Sequence, residues 1–298
     1  MIVPPLLRPN DKVSLVAPSG VVDKIKVGAT INILDSWHLI PEPSPKIFEK
    51  EGYFAGSDDI RRQSLQDALD DPESQAIFCV RGGYGSTRYI DCLSIDKFIS
   101  HPKWLIGFSD ITALHLLLVH HDVASIHGPM SHSFSKDEGA DSVDHLKKLL
   151  FKGEANITQV GVPIKEGSGN GQLVGGNLSM IIDSLGTGTE IETKGRILLI
   201  EDVAEPLYRV DRMLTHLLRT GKLGLLNGLV VGQFTPTDDK NYNSSLQQLI
   251  ANFTSSFTYP VSTCFNIGHE ESNYSVVHGG RYRLTVNPTQ SELILLNT

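Results

Sequence analysis

Apolar positions in the first half of the chain fall into short unbroken runs, and the polar stretches between them carry a helical period. DKVSLV, AIFCV and WLIGF each read as a buried strand. Between the first two, SDDIRRQSLQDALDD places Ile60, Leu65 and Leu69 at roughly helical spacing, with Ser57 or Asp58 as the starting cap. Further helices are expected over Val27 to Asp35, from near Thr87, and directly after WLIGF. Strands alternating with helices predict an α/β fold with a mostly parallel sheet flanked by helices. In such sheets ligands bind along the edge formed by the strand ends.

The pattern weakens from Lys136 to Gly171. A helix is expected around HLKKLLF, and Gly167 to Gly171 reads as a loop or linker, which puts a domain boundary between about 153 and 170. Two domains follow, 1–160 and 170–298. In the second, the strands GRILLIEDV and GLVVGQF flank the helix YRVDRMLTHLLRTG, in which Val210, Met213, Leu214, Leu217 and Leu218 form one apolar stripe. The final stretch carries short strand patterns with turns, so this half reads as a smaller, mixed domain.

Composition narrows the function classes. With 40% hydrophobic and 20% charged residues, the 298-residue chain is globular, and a net charge of -8 argues against a broad nucleic-acid surface. No apolar run reaches membrane-spanning length. The start, broken by Pro4 and Pro5, lacks the pattern of an export signal. Cys79, Cys92 and Cys264 are few and widely separated, as expected in a reducing, cytoplasmic compartment where they pack as small apolar groups.

Three segments carry candidate chemistry. In GFSDI, Ser109 sits where a strand turns into a helix, either as an ordinary helix cap or as a nucleophile lifted out of the sheet; the second glycine of a G-x-S-x-G elbow is missing. RGGYG, Arg81 to Gly85, follows another strand end and offers bare backbone amides, suited to an anion nest or to a tight turn. In LLIEDVAEPLYRVDR, Glu201 ends a strand and is placed to orient a histidine, whereas Glu205 reads as a turn residue and Asp211 as a partner for Arg209 or Arg212. Spacing leaves the base open among His101, His115, His120, His127 and His269. No HExxH, paired CxxC or compact histidine and carboxylate cluster suggests a metal, and no dinucleotide or Walker fingerprint suggests a nucleotide cofactor.

Taken in order, VAPSG, RGGYG, GFSDITALH, HGPM, GGNLS, EDVAEPLYRVDRML and IGH span nearly the whole chain, and their series resembles the LD-carboxypeptidase family of serine peptidases, which includes the microcin C immunity peptidases. The resemblance implies Ser109 as nucleophile, Glu201 as acid and His269 as base, with oxyanion donors from the backbone of Asp110, Gly82 and Gly83. It also implies a barrel-like C-terminal sheet, an active site between the domains, a homodimer, no cofactor, no metal, and a murein-derived peptide as substrate. Neither nucleic acid nor membrane is expected as a partner. Arg81 suits the substrate's terminal carboxylate or, equally, an internal salt bridge or loop clamp, and Tyr84, Asn177 and Ser179 are candidates either for substrate contact or for organising the cleft. Two other readings remain open: an immunity-type peptidase cutting aminoacyl-nucleotide amides, and a noncatalytic peptide-binding module. VVHGG at Val276 to Gly280 departs from the family pattern and leaves the role of His278 undecided.

Overall fold

The computed structural model describes residues 1–160, 162–235 and 244–297. Five strands open the chain: β1 (Lys12–Val16), β2 (Ile40–Pro43), β3 (Ser74–Cys79), β4 (Trp104–Gly107) and β5 (Ser125–His127). Nine more follow: β6 (Ile157–Gln159), β7 (Val162–Lys165), β8 (Gly167–Asn177), β9 (Ile197–Asp202), β10 (Gly228–Phe234), β11 (Val261–Thr263), β12 (Val276–His278), β13 (Arg281–Val286) and β14 (Ser291–Asn297).

The first sheet has the order β12-β5-β4-β3-β1-β2, parallel throughout except for β12, which runs antiparallel to β5. From β1 the chain steps outward to β2 and then back past β1 to β3. The strand order therefore reverses between β1 and β3, and in open α/β sheets the crevice outside the carboxyl ends at that reversal is where ligands bind. VAPSG and RGGYG are the loops at those two ends.

The second sheet has the order β6-β14-β13-β8-β9-β10-β11-β7. Its two edges, β6 and β7, are separated by only two residues of chain, 160 and 161. Those edges must lie close together, which gives the sheet a barrel-like curvature. One apolar cluster runs without a break from Phe78, Ile106 and Ile126 of the first sheet to Leu199, Ile267 and Tyr282 of the second half. The crevice is thus walled by two sheets on a shared core.

Several expectations change. The glycines at 167–171 are not a linker: they begin β8, which pairs with β13 in the middle of the second sheet. A Cβ on Gly169 would lie 1.8 Å from the Asn227 carbonyl oxygen, so the absent side chains let another backbone cross close by. No regular helix starts near Thr87; two 3-10 turns, Ser86–Arg88 and Ile90–Cys92, precede a short helix at Asp96–Ser100. This segment is tied down at Ser86, whose amide donates to Asp110 (2.9 Å), and at Tyr89, whose hydroxyl donates to the Pro18 carbonyl (2.7 Å). In the helix Leu207–Arg219 the stripe Val210, Met213, Leu214 and Leu217 is buried, while Leu218 faces outward. Cys79 packs in the core, but Cys92 and Cys264 are exposed. Ser57 is the cap of the helix Asp58–Asp70, accepting from the Ile60 amide. No helix among the described residues is long and apolar enough to cross a membrane.

Candidate active site

At the end of β4, Ser109 opens a single 3-10 turn, Ser109–Ile111, that leads into the helix Thr112–His120. Neither helical start is closed by a side-chain cap, so the serine hydroxyl is not consumed by capping. Its backbone lies at φ 65°, in the left-handed region that a Cβ makes costly. This sharp turn presents Ser109 to a cavity of about 370 Å³, whose lining includes Arg81, Gly82, Gly83, Phe108 and His269.

His269 reaches this cavity from the loop after β11, and its Nδ1 lies 2.6 Å from Glu201 Oε2. Glu201, at the end of β9, is fully buried, whereas the imidazole keeps 14% of its surface exposed. Gly268 makes the approach: it has φ +137°, and a Cβ there would sit 3.0 Å from Glu201 Oε2. Nε2 has no hydrogen-bond partner among the described residues. Ser109 and His269 make no direct hydrogen bond among the described residues, and such contacts commonly tighten only when substrate binds. The Phe108 ring packs 4.7 Å from the imidazole, centroid to centroid, and restricts its swing.

Burial pushes the Glu201 carboxyl up, against the opposing pull of His269. Burial alone would push the His269 imidazole down. The charge and hydrogen bond of Glu201, with Asp202 behind it, outweigh burial and raise it above its ordinary value of 6.5.

RGGYG lies against the serine. Gly82 is tightly enclosed: a Cβ there would meet Ser109 Cβ at 3.1 Å, the Phe108 carbonyl oxygen at 3.2 Å and Met130 Cε at 3.3 Å, so these neighbours would have to give way slightly. Its carbonyl accepts from the Gly20 amide (3.0 Å), which joins the loop to VAPSG and turns the peptide plane. The Asp110 side chain joins the two loops. Its buried carboxylate accepts from Ser19 Oγ (2.5 Å) of one loop and from the Ser86 amide (2.9 Å) of the other. Arg61, fully buried, donates to the Pro18 (3.3 Å) and Gly85 (3.0 Å) carbonyls and clamps the same two loops from behind. Placing a methyl at Gly82 should therefore cut kcat about 100-fold by shifting the donors beside Ser109, with the folded state weakened by only about 1 kcal/mol. Steady-state kinetics of Gly82→Ala together with urea unfolding check this.

Other candidates sit elsewhere. Asn177 and Ser179 do not line the cavity; they hold Asp202, with Asn177 Nδ2 donating to Oδ1 (2.8 Å) and the Ser179 amide (3.0 Å) and hydroxyl (2.8 Å) donating to Oδ2. They brace the end of β9 and hence Glu201. Tyr84 is exposed, its ring tilted against Phe54, and outside the cavity. Arg81 lines it and makes no ion pair among the described residues. His115 and His127 are fully buried beneath the serine turn. His115 donates from Nε2 to the Gly107 carbonyl (2.9 Å), and burial pushes its pKa down to about 4. His278 stacks on His115 and accepts from the Gly175 amide (3.0 Å) at Nε2, so it belongs to the floor of the fold. His101 and His120 are exposed and do not line the cavity. Sequence reading passed over Asp23, Lys26, Tyr53 and His132, which also line it. No motif marked them.

A parallel sheet with a strained serine at one strand end, a histidine held by a buried carboxylate, and a glycine loop alongside defines the class of serine-type peptide hydrolases. Residues 13–128 match the LD-carboxypeptidase N-terminal domain and residues 170–284 the LD-carboxypeptidase C-terminal domain, and the chain belongs to the LD-carboxypeptidase family. It is 34% identical to a putative carboxypeptidase of Streptomyces coelicolor over 94% of this chain and 92% of that protein. A probable murein peptide carboxypeptidase of Bacillus subtilis is 33% identical over 93% of this chain and 90% of its own length. The crystal structure of muramoyltetrapeptide carboxypeptidase from Oxalobacter formigenes superposes with a TM-score of 0.88 and 27% identity, covering 96% of this chain and 99% of that one. The microcin C7 self-immunity protein, in complex with aspartyl sulfamoyl adenosine, shares the fold at a TM-score of 0.90 and 18% identity, covering 99% and 98%.

Proposed function

We propose that this protein is a metal-independent serine carboxypeptidase that hydrolyses the L,D bond releasing terminal D-alanine from murein tetrapeptide, in the cytoplasm and as a homodimer. The observation that carries the chemistry is the meeting, in one cavity, of Ser109, the Glu201-held His269 and the backbone of Gly82 and Gly83. His269 Nε2 takes the hydroxyl proton as Ser109 Oγ attacks the peptide carbonyl carbon. Negative charge moves to the carbonyl oxygen, where the amides of Gly82, Gly83 and Asp110 receive it. His269 returns the proton to the departing amine. Water then attacks the acyl-serine by the reverse route. Glu201 holds the Nδ1–H tautomer throughout and favours the imidazolium that forms. Arg81 takes the terminal carboxylate of the substrate.

The substrate assignment rests on the named relatives from Bacillus subtilis and Oxalobacter formigenes. Purified protein incubated with murein tetrapeptide ending in D-alanine should release one alanine, seen by mass, and should leave the all-L counterpart intact. Failure of well-folded protein to cut the D-terminal peptide would sink the murein assignment and turn attention to aminoacyl-nucleotide amides.

A further inference from the structure

The wall of the cavity carries two fixed cations, one more than a single terminal carboxylate engages directly. Lys26, in the first turn of the helix Lys24–Ser36, lines the same cavity as Ser109 and His269, and so does Arg81. Neither cation has an acidic partner among the described residues. Asp23 is the carboxylate among the lining residues, and its Oδ1 is occupied by the Ile25 (2.8 Å) and Lys26 (3.2 Å) amides that it caps. In a chain of net charge -8, two cations without a direct ion pair on one cavity wall are a local feature.

The Lys26 ammonium is held in place. Its Nζ lies 2.9 Å from His132 Nδ1, on the neighbouring short helix Ser131–Phe134. An ammonium can only donate, so at this distance Nδ1 is the acceptor and the ring proton is on Nε2; partial burial and the nearby Lys26, Lys136 and Arg81, which push the His132 imidazole down, act in the same direction. Thr30 Oγ1, one turn beyond Lys26, donates to Ser131 Oγ (2.8 Å) and locks the two helices together. An ammonium donating one of its three hydrogens to a neutral imidazole has two left for a ligand and no loss of charge. Its partner must be an anion, because a desolvating cavity wall rewards a second positive charge only when a second negative charge enters.

Resting on the carboxypeptidase reading above, we propose that Lys26, positioned by His132, binds a second carboxylate of the peptide, carried on a residue beside the scissile bond. The enzyme is thus selective for acidic peptides over their amidated forms. Arg81 and Lys26 divide the work, one for the chain terminus and one for the side chain.

The test compares kcat/KM for two substrates: murein tetrapeptide containing meso-diaminopimelate before D-alanine, and the same peptide with that residue's side-chain carboxylate converted to an amide. Wild-type protein should prefer the acid by about tenfold, mostly through KM. In Lys26→Gln the preference should fall to near one, and Lys26→Arg should restore most of it. A ratio of two substrates is independent of the fraction of active protein, so partial misfolding does not blur it. Equal cleavage of both peptides by wild type, or an unchanged ratio in Lys26→Gln, overturns the second-carboxylate site and leaves the carboxypeptidase reading standing. A Lys26→Gln protein inactive on both peptides also overturns it, since Lys26 would then serve something other than selection. Wild-type protein inactive on both removes the murein assignment and this inference with it.

Discussion

Replacing Ser109 with alanine or glycine should lower kcat/KM on the D-terminal tetrapeptide by about 10⁴-fold or more, because either change removes the oxygen that attacks the carbonyl. The two variants should then part company in stability. The backbone at residue 109 is held at φ 65°. That conformation costs an L-residue roughly 1–2 kcal/mol and a glycine very little. Alanine keeps the Cβ and therefore the strain. Ser109→Gly should unfold at higher urea than Ser109→Ala, by about 1 kcal/mol after allowance for the extra freedom glycine gains in the unfolded chain. The strained turn brings Ser109 to the cavity that Gly82 and His269 also line. A glycine variant less stable than the alanine variant would show that the turn is not strained. Residual turnover near the wild-type level in either would remove Ser109 from the chemistry.

The second large effect is expected at Glu201. Glu201→Gln keeps the shape of the side chain but loses the charge that fixes the Nδ1–H tautomer, and kcat should fall by about 10³- to 10⁴-fold. The pH profile gives the sharper reading. His269 must be neutral to accept the serine proton, and Glu201 raises its pKa above 6.5. Activity of the wild type should therefore be lost as pH falls through a value above 6.5. In Glu201→Gln the carboxylate charge is gone while the burial that favours the neutral ring remains. The acid limb should move to lower pH even as the maximal rate drops. A limb that stays in place would mean that Glu201 does not set the ionisation of the base.

Much of the site was legible from short stretches of chain. The turn at Gly107 to Asp110, the bare loop at Arg81 to Gly85 and the carboxylate at the end of β9 each depend on neighbours within a few residues. For such features the local pattern of apolar runs, glycines and polar residues is sufficient, because strand-to-helix turns are built by adjacent residues. The same holds for the alternation that predicted the first sheet. It failed at Gly167 to Gly171, where glycine density suggested a linker and the actual cause is the close passage of the backbone at Asn227.

What only the tertiary structure decided depends on contacts between distant parts of the chain. Glu201 and His269 are 68 residues apart, and Lys26 and His132 are 106 apart. Nothing in the residues around any one histidine separates His269, held by a carboxylate at a cavity, from His115 or His127, which are fully buried and pushed toward the neutral form. Asn177 and Ser179 have side chains fit for a substrate, and it is the fold that spends them on Asp202. Sequence by itself determined which pieces can make a nucleophile turn, an anion-facing loop and an orienting acid, since those are properties of local backbone. Which histidine serves them, and which cations face the same cavity, follows from how the two sheets pack on their shared core.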